Sequence, residues 1–451
     1  MRKRRGGGSR PAPETPEAAG SAPRVAAEAK RHILNGIWQG LLITAIVLLV
    51  MAALEKRPLA IQLEEFTYSM LQLRVESAGA PANLPITVVD ISDLEPATRK
   101  LGGETVKFLS RDALRDLIEA IEKHDPVAIG IDADFSPESS GYVDPRDPLF
   151  FNFCLQQKAP VFLGIWRTVD QPPEQWLGEA YQSLAANVVI PRPDHRQMPE
   201  WLRSKDAPDT SPPSPSISAA LANAYRGPTP DPPGWLKPFV GRVSLKTVSS
   251  FSYGQFLVDY TPIDVLQSNA IRALGPADLA NQDGRLRGKI VLIGEMAHSR
   301  MPDVFVIPGK PSPYAGVLIH ACAAYTLTHA PLYQLTTSGR ALFDILFASV
   351  IVLILALIRF RYETRAGRPV AAMRLHILLT VLAIGVVVFA AVVLINVTRL
   401  MWDDFILVVA ALLLHVLVQY CVHRLGHWRR LAAIIWHEIV FQKKKEGENE
   451  A

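Results

Sequence analysis

The chain has 451 residues, of which 49% are hydrophobic and 20% are charged, and its formal net charge is +4 at pH 7. Three cysteines are too few for a disulfide framework. Basic flanks of hydrophobic runs largely account for this net charge, so the charge balance indicates an anionic phospholipid membrane as partner and argues against nucleic acid.

The first hydrophobic run extends from Ile33 to Leu54 and follows a basic tail, residues 1–32, that is expected to be disordered. As a helix rising about 1.5 Å per residue, the run reaches across a hydrocarbon core of roughly 30 Å. The alternative is a cleaved signal peptide. We favour a membrane anchor, because the apolar centre of a signal peptide is usually only about 7 to 15 residues long and no small-x-small cleavage site follows.

Three further runs near the end are long enough to span a membrane, which gives four predicted transmembrane helices: 33–54, 341–358, 375–397 and 405–422. Lys and Arg concentrate in residues 1–32, in the loop 359–374 and in the tail 423–451. Because such residues stay preferentially on the cytoplasmic side, both termini are predicted to be cytoplasmic. The domain formed by residues 55–340 is therefore predicted to be extracytoplasmic.

That domain alternates strand and helix patterns. The β-branched run Ile86–Ile91 is followed by an amphipathic helix that Ser110 can cap, and then by the apolar run Val127–Asp132. This is a βαβ unit, so the fold class is α/β with a mostly parallel sheet. Further strands are predicted at Pro160–Ile165, Val188–Pro191, Gly241–Leu245 and Lys289–Gly294, and helices at Ser216–Tyr225 and Ala315–Thr328. Frequent prolines between Pro191 and Trp235 predict little other regular structure there.

Four segments, in this order, resemble CHASE sensor domains of the second type: Ile86–Asp93, Pro126–Phe135, Gly288–Gly294 and Tyr314–Cys322. The arrangement of one helix, a sensor and three helices is also similar to that family. The resemblance covers roughly Glu55 to Pro331. It implies a sensory domain in the periplasm, on a multi-pass protein of a bacterial inner membrane. Members of the family continue into a cyclase or kinase domain, whereas the residues after Val422 are too few for one.

Carboxylates and a histidine follow the predicted strands, where parallel sheets bind ligands. These ligand-binding candidates are Asp90, Asp93, Asp132, Asp134, Glu295, His298 and Asp303. If the strand ends are neighbours, the residues form one acidic crevice that can hold Ca²⁺ or Mg²⁺ or sense protons. The alternative, which we favour, is that they cap helices and turns.

His320 lies on an otherwise small and apolar helix face, which favours a hydrogen-bonded core histidine over a ligand-binding or pH-sensing one. A disulfide between Cys154 and Cys322 is left open. No esterase, zinc-protease or Walker A signature is present, so neither catalysis nor a cofactor is expected.

Three polar residues fall in the predicted spans. Asp344 begins the second span, near enough to the outer surface to reach water, and His415 and Gln419 lie one turn apart on the fourth. For the latter pair, helix packing is favoured over proton relay. The tail 423–451 carries an apolar helical stripe that suits either the inner lipid interface or a partner protein.

These observations predict a sensor without catalysis that relays an extracytoplasmic signal to a separate effector protein, with a homodimer as the favoured arrangement. The alternatives are an assembly or docking factor of an envelope complex and, less favoured, a periplasmic hydrolase.

Overall fold

The protein is described by a computed structural model. It covers residues 66–70, 83–101, 104–136, 146–165, 179–188, 196–202, 213–226, 234–235, 237–241, 243–244, 252–296, 303–329, 331–366 and 369–402, with isolated positions between 34 and 62 and between 405 and 421. The chain divides into two compact units. One combines Leu54–Phe343 with Val388–Ile406, and the other combines Met1–Ala53, Asp344–Val387 and Leu407–Ala451.

The described helices are α1 (Arg111–Glu122), α2 (Asp147–Leu155), α3 (Ile217–Arg226), α4 (Ile263–Ser268), α5 (Asp283–Leu286), α6 (Gly316–Thr328), α7 (Thr337–Ala366) and α8 (Pro369–Val393). The strands are β1 (Ile86–Asp90), β2 (Ala97–Leu101), β3 (Glu104–Phe108), β4 (Ala128–Asp132), β5 (Val161–Ile165), β6 (Ala185–Asn187), β7 (Gln197–Leu202), β8 (Ser214–Pro215), β9 (Val240–Gly241), β10 (Val243–Ser244), β11 (Ser252–Leu257), β12 (Ile271–Arg272), β13 (Ile290–Gly294), β14 (Val304–Val306), β15 (Pro313–Ala315), β16 (Tyr333–Leu335) and β17 (Leu400–Met401).

The centre of the first unit is a six-stranded sheet in the order β12-β1-β13-β4-β5-β6, with every neighbouring pair parallel. Alternate side chains of these strands face opposite layers of helices. Ile129, Ile131 and Ile293 pack in one cluster with the apolar residues of α1 and α2. On the other face, a Cβ at Gly130 would meet Leu221 of α3, and one at Gly294 would meet Val317 of α6. The predicted α/β class with a mostly parallel sheet is confirmed.

Local chemistry explains why the predicted βαβ unit forms. The Ser110 side chain accepts a hydrogen bond from the Ala113 N–H at 3.3 Å and so caps α1. Four apolar residues of α1 at three- and four-residue spacings are buried: Leu114, Leu117, Ile118 and Ile121. The strands on either side are buried nearly throughout, as parallel strands covered on both faces require.

The prediction of little regular structure in the proline-rich region is wrong. Strand β6, Ala185–Asn187, ends just before the strand expected at Val188–Pro191, of which Val188 is outside any strand and residues 189–191 lie outside the described residues. The proline-rich region contains β7 and β8, which lie in an antiparallel sheet of order β10-β11-β7-β8. Pairing with β11, which lies far along the chain, supplies the backbone hydrogen bonds that the local sequence does not indicate. Helix α2 was not predicted, because its apolar residues lie on all sides of the helix and show no helical period.

Two described helices are long and apolar enough to cross a membrane, with candidate spans at Ser338–Leu355 in α7 and Ile377–Thr398 in and after α8. Large apolar side chains along both are exposed, among them Leu346, Ile354, Leu382 and Phe389. The buried core helix of a soluble protein would not show this exposure. Asp344, expected to reach water, is instead buried. Most of the first and fourth predicted spans, with His415 and Gln419, and both termini lie outside the described residues.

Gly164 in β5 provides a test of sheet packing. A Cβ there would come within 2.9 Å of the Ile131 carbonyl oxygen and 2.5 Å of Val188 Cγ2. Gly164→Ala is therefore expected to lower the free energy of unfolding by about 1–3 kcal/mol. At Gly284 in α5, an added Cβ would have no neighbour within 4 Å, so Gly284→Ala should be neutral or slightly stabilising. Thermal unfolding of both variants measures the difference, and equal melting temperatures would contradict this packing.

Candidate functional site

Two predicted site residues lie at the carboxyl edge of the sheet, separated by one strand. In the parallel register, Asp90 of β1 is opposite Gly294 of β13, and Gly294 is opposite Asp132 of β4. Parity along β4 places Asp132 on the same face as Gly130, towards α3 and α6. The expectation that these strand ends are neighbours therefore holds for β1, β13 and β4.

The absence of a side chain at Gly294 lets the first turn of α6 lie against this edge. A Cβ on Gly294 would come within 2.9 Å of the Val317 Cβ and 3.2 Å of the Asp132 Cβ. One residue earlier, the Gly316 N–H donates to the Asp303 carbonyl at 3.0 Å. The Asp303 carboxylate lies so close to Gly316 that a Cβ there would be 2.8 Å from its Cγ. A carboxylate in this position interacts favourably with the N-terminal end of the helix dipole.

His320, one turn further along α6, faces Asp132. The His320 Nε2 is 3.8 Å from the Asp132 Oδ1, and both side chains are buried. Burial raises the pKa of Asp132 to about 7, because the interior disfavours its charged form. Burial also lowers the pKa of His320 to about 4, although the Asp303 charge opposes this shift. Near neutral pH the histidine is uncharged and Asp132 is close to its titration midpoint.

Ser218 of α3 completes the surroundings of His320. Its hydroxyl donates to the His320 carbonyl at 3.1 Å and lies 3.5 Å from His320 Nδ1. Asp303 is exposed as a residue, although its carboxyl group lies against Gly316. Burial of part of its carboxyl group and the nearby Asp132 raise the pKa of Asp303, and His320 acts in the opposite direction. We call Asp132, His320 and Asp303 the carboxyl-edge cluster. Its chemistry is proton binding by the buried pair of Asp132 and His320, beside the more exposed carboxylate of Asp303.

The other predicted residues bind the local backbone or a neighbouring side chain. The Asp90 carboxylate accepts from the Ser92 N–H at 3.0 Å and from the Met296 N–H at 3.1 Å, so it joins the loops after β1 and β13. Asp134 accepts from the Ser136 N–H at 2.8 Å in a tight turn. Asp93 pairs with Arg272. These three fit the favoured interpretation that carboxylates at strand ends serve caps and turns.

The two remaining candidate residues are not part of the carboxyl-edge cluster. Glu295 is exposed, and His298 lies outside the described residues. Over the ranges that the structure describes, no group of three or more His, Cys, Asp or Glu residues is placed to hold a metal ion. Cys154 and Cys322 are buried as free thiols, Cys154 in the α2 layer and Cys322 in α6 on the other face of the sheet.

The sequence did not single out Ser218, nor an ion pair elsewhere in this unit between Asp259 and Arg399. The sequence contains a weak indication of this ion pair. Asp259 interrupts the apolar run Phe256–Tyr260, and Arg399 is a basic residue in a loop that is predicted to be extracytoplasmic.

The opposed pKa shifts of Asp132 and His320 lead to a test. Between about pH 4 and pH 6.5 the folded pair holds one proton, on Asp132, and the unfolded pair also holds one, on His320, given their ordinary pKa values of 3.8 and 6.5. The pair therefore adds little pH dependence to stability in this range. Asp132→Asn leaves only the histidine, which binds a proton in the unfolded state, so stability should fall as the pH falls from 6.5 to 4.

His320→Gln should do the reverse. It leaves only Asp132, which holds its proton in the folded state, so stability should rise as the pH falls from 7 towards 4. Each slope approaches about 1.4 kcal/mol per pH unit. Melting temperatures of the two variants relative to the unsubstituted protein report the effect, because Asp303 and all other groups are common to the three proteins. Parallel pH profiles for all three would contradict the assignment.

Comparison with known proteins identifies the family to which the chain belongs. The family model for the CHASE2 domain matches residues 43–357. No curated protein matches the chain, and no solved structure matches it. CHASE2 domains are sensory extracellular domains, and the match confirms the resemblance seen in the strands and in α6. The chain belongs to the CHASE2 domain family.

Proposed function

We propose that this protein is a multi-pass sensor of a bacterial inner membrane. Its CHASE2 domain detects an extracytoplasmic signal and relays it, without catalysis, to a separate effector protein. The observation that carries the proposal is the ion pair between the buried Asp259 carboxylate and Arg399. It attaches the domain to the chain segment between the third and fourth predicted transmembrane helices.

Asp259 lies in a short corner, residues 258–261, where distant segments of the chain meet. Its carboxylate accepts from the Thr261 N–H at 2.9 Å and from Arg399 Nη2 at 2.9 Å. Its own N–H donates to the Thr326 hydroxyl of α6 at 2.8 Å. The Tyr68 hydroxyl donates to the neighbouring Val258 carbonyl. Tyr68 follows the first predicted span in sequence, so segments next to two predicted spans bind the corner.

Backbone hydrogen bonds and packing of the neighbouring residues also fix the position of Arg399. Arg399 has a φ of 57°, in the left-handed region that costs a residue with a side chain roughly 1–2 kcal/mol. Its carbonyl accepts from the Tyr333 N–H at 2.8 Å, and the next two residues pair with β16 as the parallel strand β17. Trp402 is buried against Phe343, with ring centroids 4.9 Å apart. The loop after α8 is thus a structural part of the domain.

Helix α6 connects the carboxyl-edge cluster to this corner. Its first turns carry Gly316 and His320, and its last turns carry Thr326 and Tyr325, with every residue of the helix buried. Burial and the nearby Asp259 charge raise the pKa of Tyr325 to about 12. A rigid, buried helix with the cluster at one end and the corner at the other supports a relay in which a change at the cluster alters the corner.

The energy required limits the mechanism. Shifting a two-state assembly from 1:99 to 99:1 requires the signal to discriminate between the states by about 5.5 kcal/mol. A homodimer, in which two domains contribute, makes this requirement easier to meet, and we include it in the proposal. A docking factor of an envelope complex would need no such switch.

A double-mutant cycle tests the ion pair. The Asp259 side chain is 2% exposed and that of Arg399 is 29% exposed, so removing the arginine leaves a charge in the interior, whereas removing the aspartate leaves an arginine that can reach water. Arg399→Gln should cost about 3 kcal/mol and Asp259→Asn less. The double variant should lose less than the sum of the two. Additive losses in thermal unfolding would show that the pair does not couple the two segments.

Recovery of a partner tests the relay. The full chain is crosslinked in intact cells and purified from membranes, and bound proteins are identified by mass spectrometry. We expect a protein with a cytoplasmic domain whose recovery changes in Arg399→Gln. The control is Arg115→Gln, which removes an exposed arginine of α1 whose ion pair, at 3.1 Å, is with Glu119 one turn further along the same helix. Recovering no such protein, or equal recovery from both variants, would contradict signalling and favour the docking factor.

A further inference from the structure

An exposed aromatic segment next to the first turn of α7 has no role in the proposed relay. The segment Gly234–Phe239 reads Gly-Trp-Leu-Lys-Pro-Phe. The Trp235 side chain is 77% exposed and that of Phe239 is 39% exposed. Lys237 between them is also exposed. Two large aromatic groups facing outwards on one short segment of a folded domain indicate a surface that binds something.

The position of this segment is set by contacts with the start of α7. The Thr336 N–H donates to the Phe239 carbonyl at 2.9 Å, and the Thr336 hydroxyl donates to the Pro238 carbonyl at 2.7 Å. Gly339, in the first turn, allows the backbone of Phe239 to touch the helix, since a Cβ at Gly339 would lie 2.8 Å from the Phe239 Cα. Strand β9, which follows directly, pairs with β16 just before the helix.

These contacts place the aromatic segment beside the part of α7 where exposed, large apolar side chains begin. The candidate span begins at Ser338, and the first exposed large apolar residue of α7 is Leu342. At about 1.5 Å per residue, Leu342 is roughly 5 Å along the helix axis from Gly339, beside which Phe239 lies. This is the depth of a lipid headgroup layer relative to the hydrocarbon core.

We propose that Trp235 and Phe239 insert into the outer headgroup layer of the bilayer and hold the sensor domain against the membrane surface. Trp is enriched at membrane interfaces because its ring is apolar while its N–H can still donate to water or headgroups. Lys237 adds attraction to anionic headgroups. The inference rests on the membrane insertion of α7 in the proposed function, and it adds a second, peripheral contact between the domain and lipid.

Spin labels at single cysteines test the contact. Cys421, the exposed thiol, is replaced by Ser, while Cys154 and Cys322 are buried and can remain. The full chain carries one label in place of Trp235, Phe239, Leu342 or Leu149, and is reconstituted in vesicles of phosphatidylethanolamine and phosphatidylglycerol. Leu149 of α2 is the matched control, because it is 74% exposed but lies in a different helical layer of the domain. Collision rates with oxygen, which concentrates in lipid, and with a water-soluble nickel chelate are compared.

We expect the ratio of oxygen to nickel collisions at 235 and 239 to be several-fold higher than at 149 and to approach the ratio at 342. A ratio at 235 and 239 equal to that at 149, with a high value at 342, would overturn the lipid contact and leave the proposed function intact. Labels at 235 and 239 that are immobile and shielded from both reagents would show that a protein, either a partner or a second copy, covers the segment, and would overturn the lipid contact too. A water-like ratio at 342 would overturn the membrane insertion itself and the inference with it.

Discussion

The connection between the sensor domain and the predicted membrane helices depends on a carboxylate that cannot reach water. Asp259 is buried at a corner where three distant segments meet, and its charge is compensated there by Arg399 and by the Thr261 backbone. An uncompensated charge in the interior is unfavourable by several kcal/mol, so the loop after α8 is held on the domain. With the loop in place, β17 pairs with β16 and Trp402 packs against Phe343. The start of α7 and the end of α8 therefore belong to the same compact unit as the sheet.

At the carboxyl edge of the sheet, close packing of a helix determines which carboxylates are buried. Gly294 and Gly316 allow the first turn of α6 to approach the strand ends closely, and the space above the edge is taken by the helix itself. Asp132 and His320 are consequently enclosed, and burial shifts the pKa of each towards its uncharged form. Asp90 and Asp134, which keep backbone partners, behave as ordinary caps. Carboxylates at the ends of neighbouring strands therefore differ in burial and in bonding partners, because only some of them face α6.

Much of the central sheet could be predicted because parallel strands covered on both faces must be apolar along their whole length, and this pattern is local. β1, β4, β5 and β13, with α1, α3 and α6, were predicted to within a residue or two. β6 and β7 were not predicted, because such strands depend on partners elsewhere in the chain. At the site, the sequence indicated that Asp132 and Asp303 were candidates, but it did not indicate that His320 faces Asp132, since this contact requires α6 to cross the edge of the sheet.

The amino-acid order alone indicated the α/β class and the apolar runs that suit a membrane, since both depend on the hydrophobicity of neighbouring residues. It indicated the family through four short segments in their order along the chain. The three-dimensional packing was needed to show which charged groups are buried and which segments meet. Asp132, Asp134 and Asp259 are the same amino acid, yet one titrates near neutral pH, one closes a turn and one binds a distant arginine. Burial and partner choice depend on contacts between residues far apart in the chain, and these contacts exist only after the chain has folded.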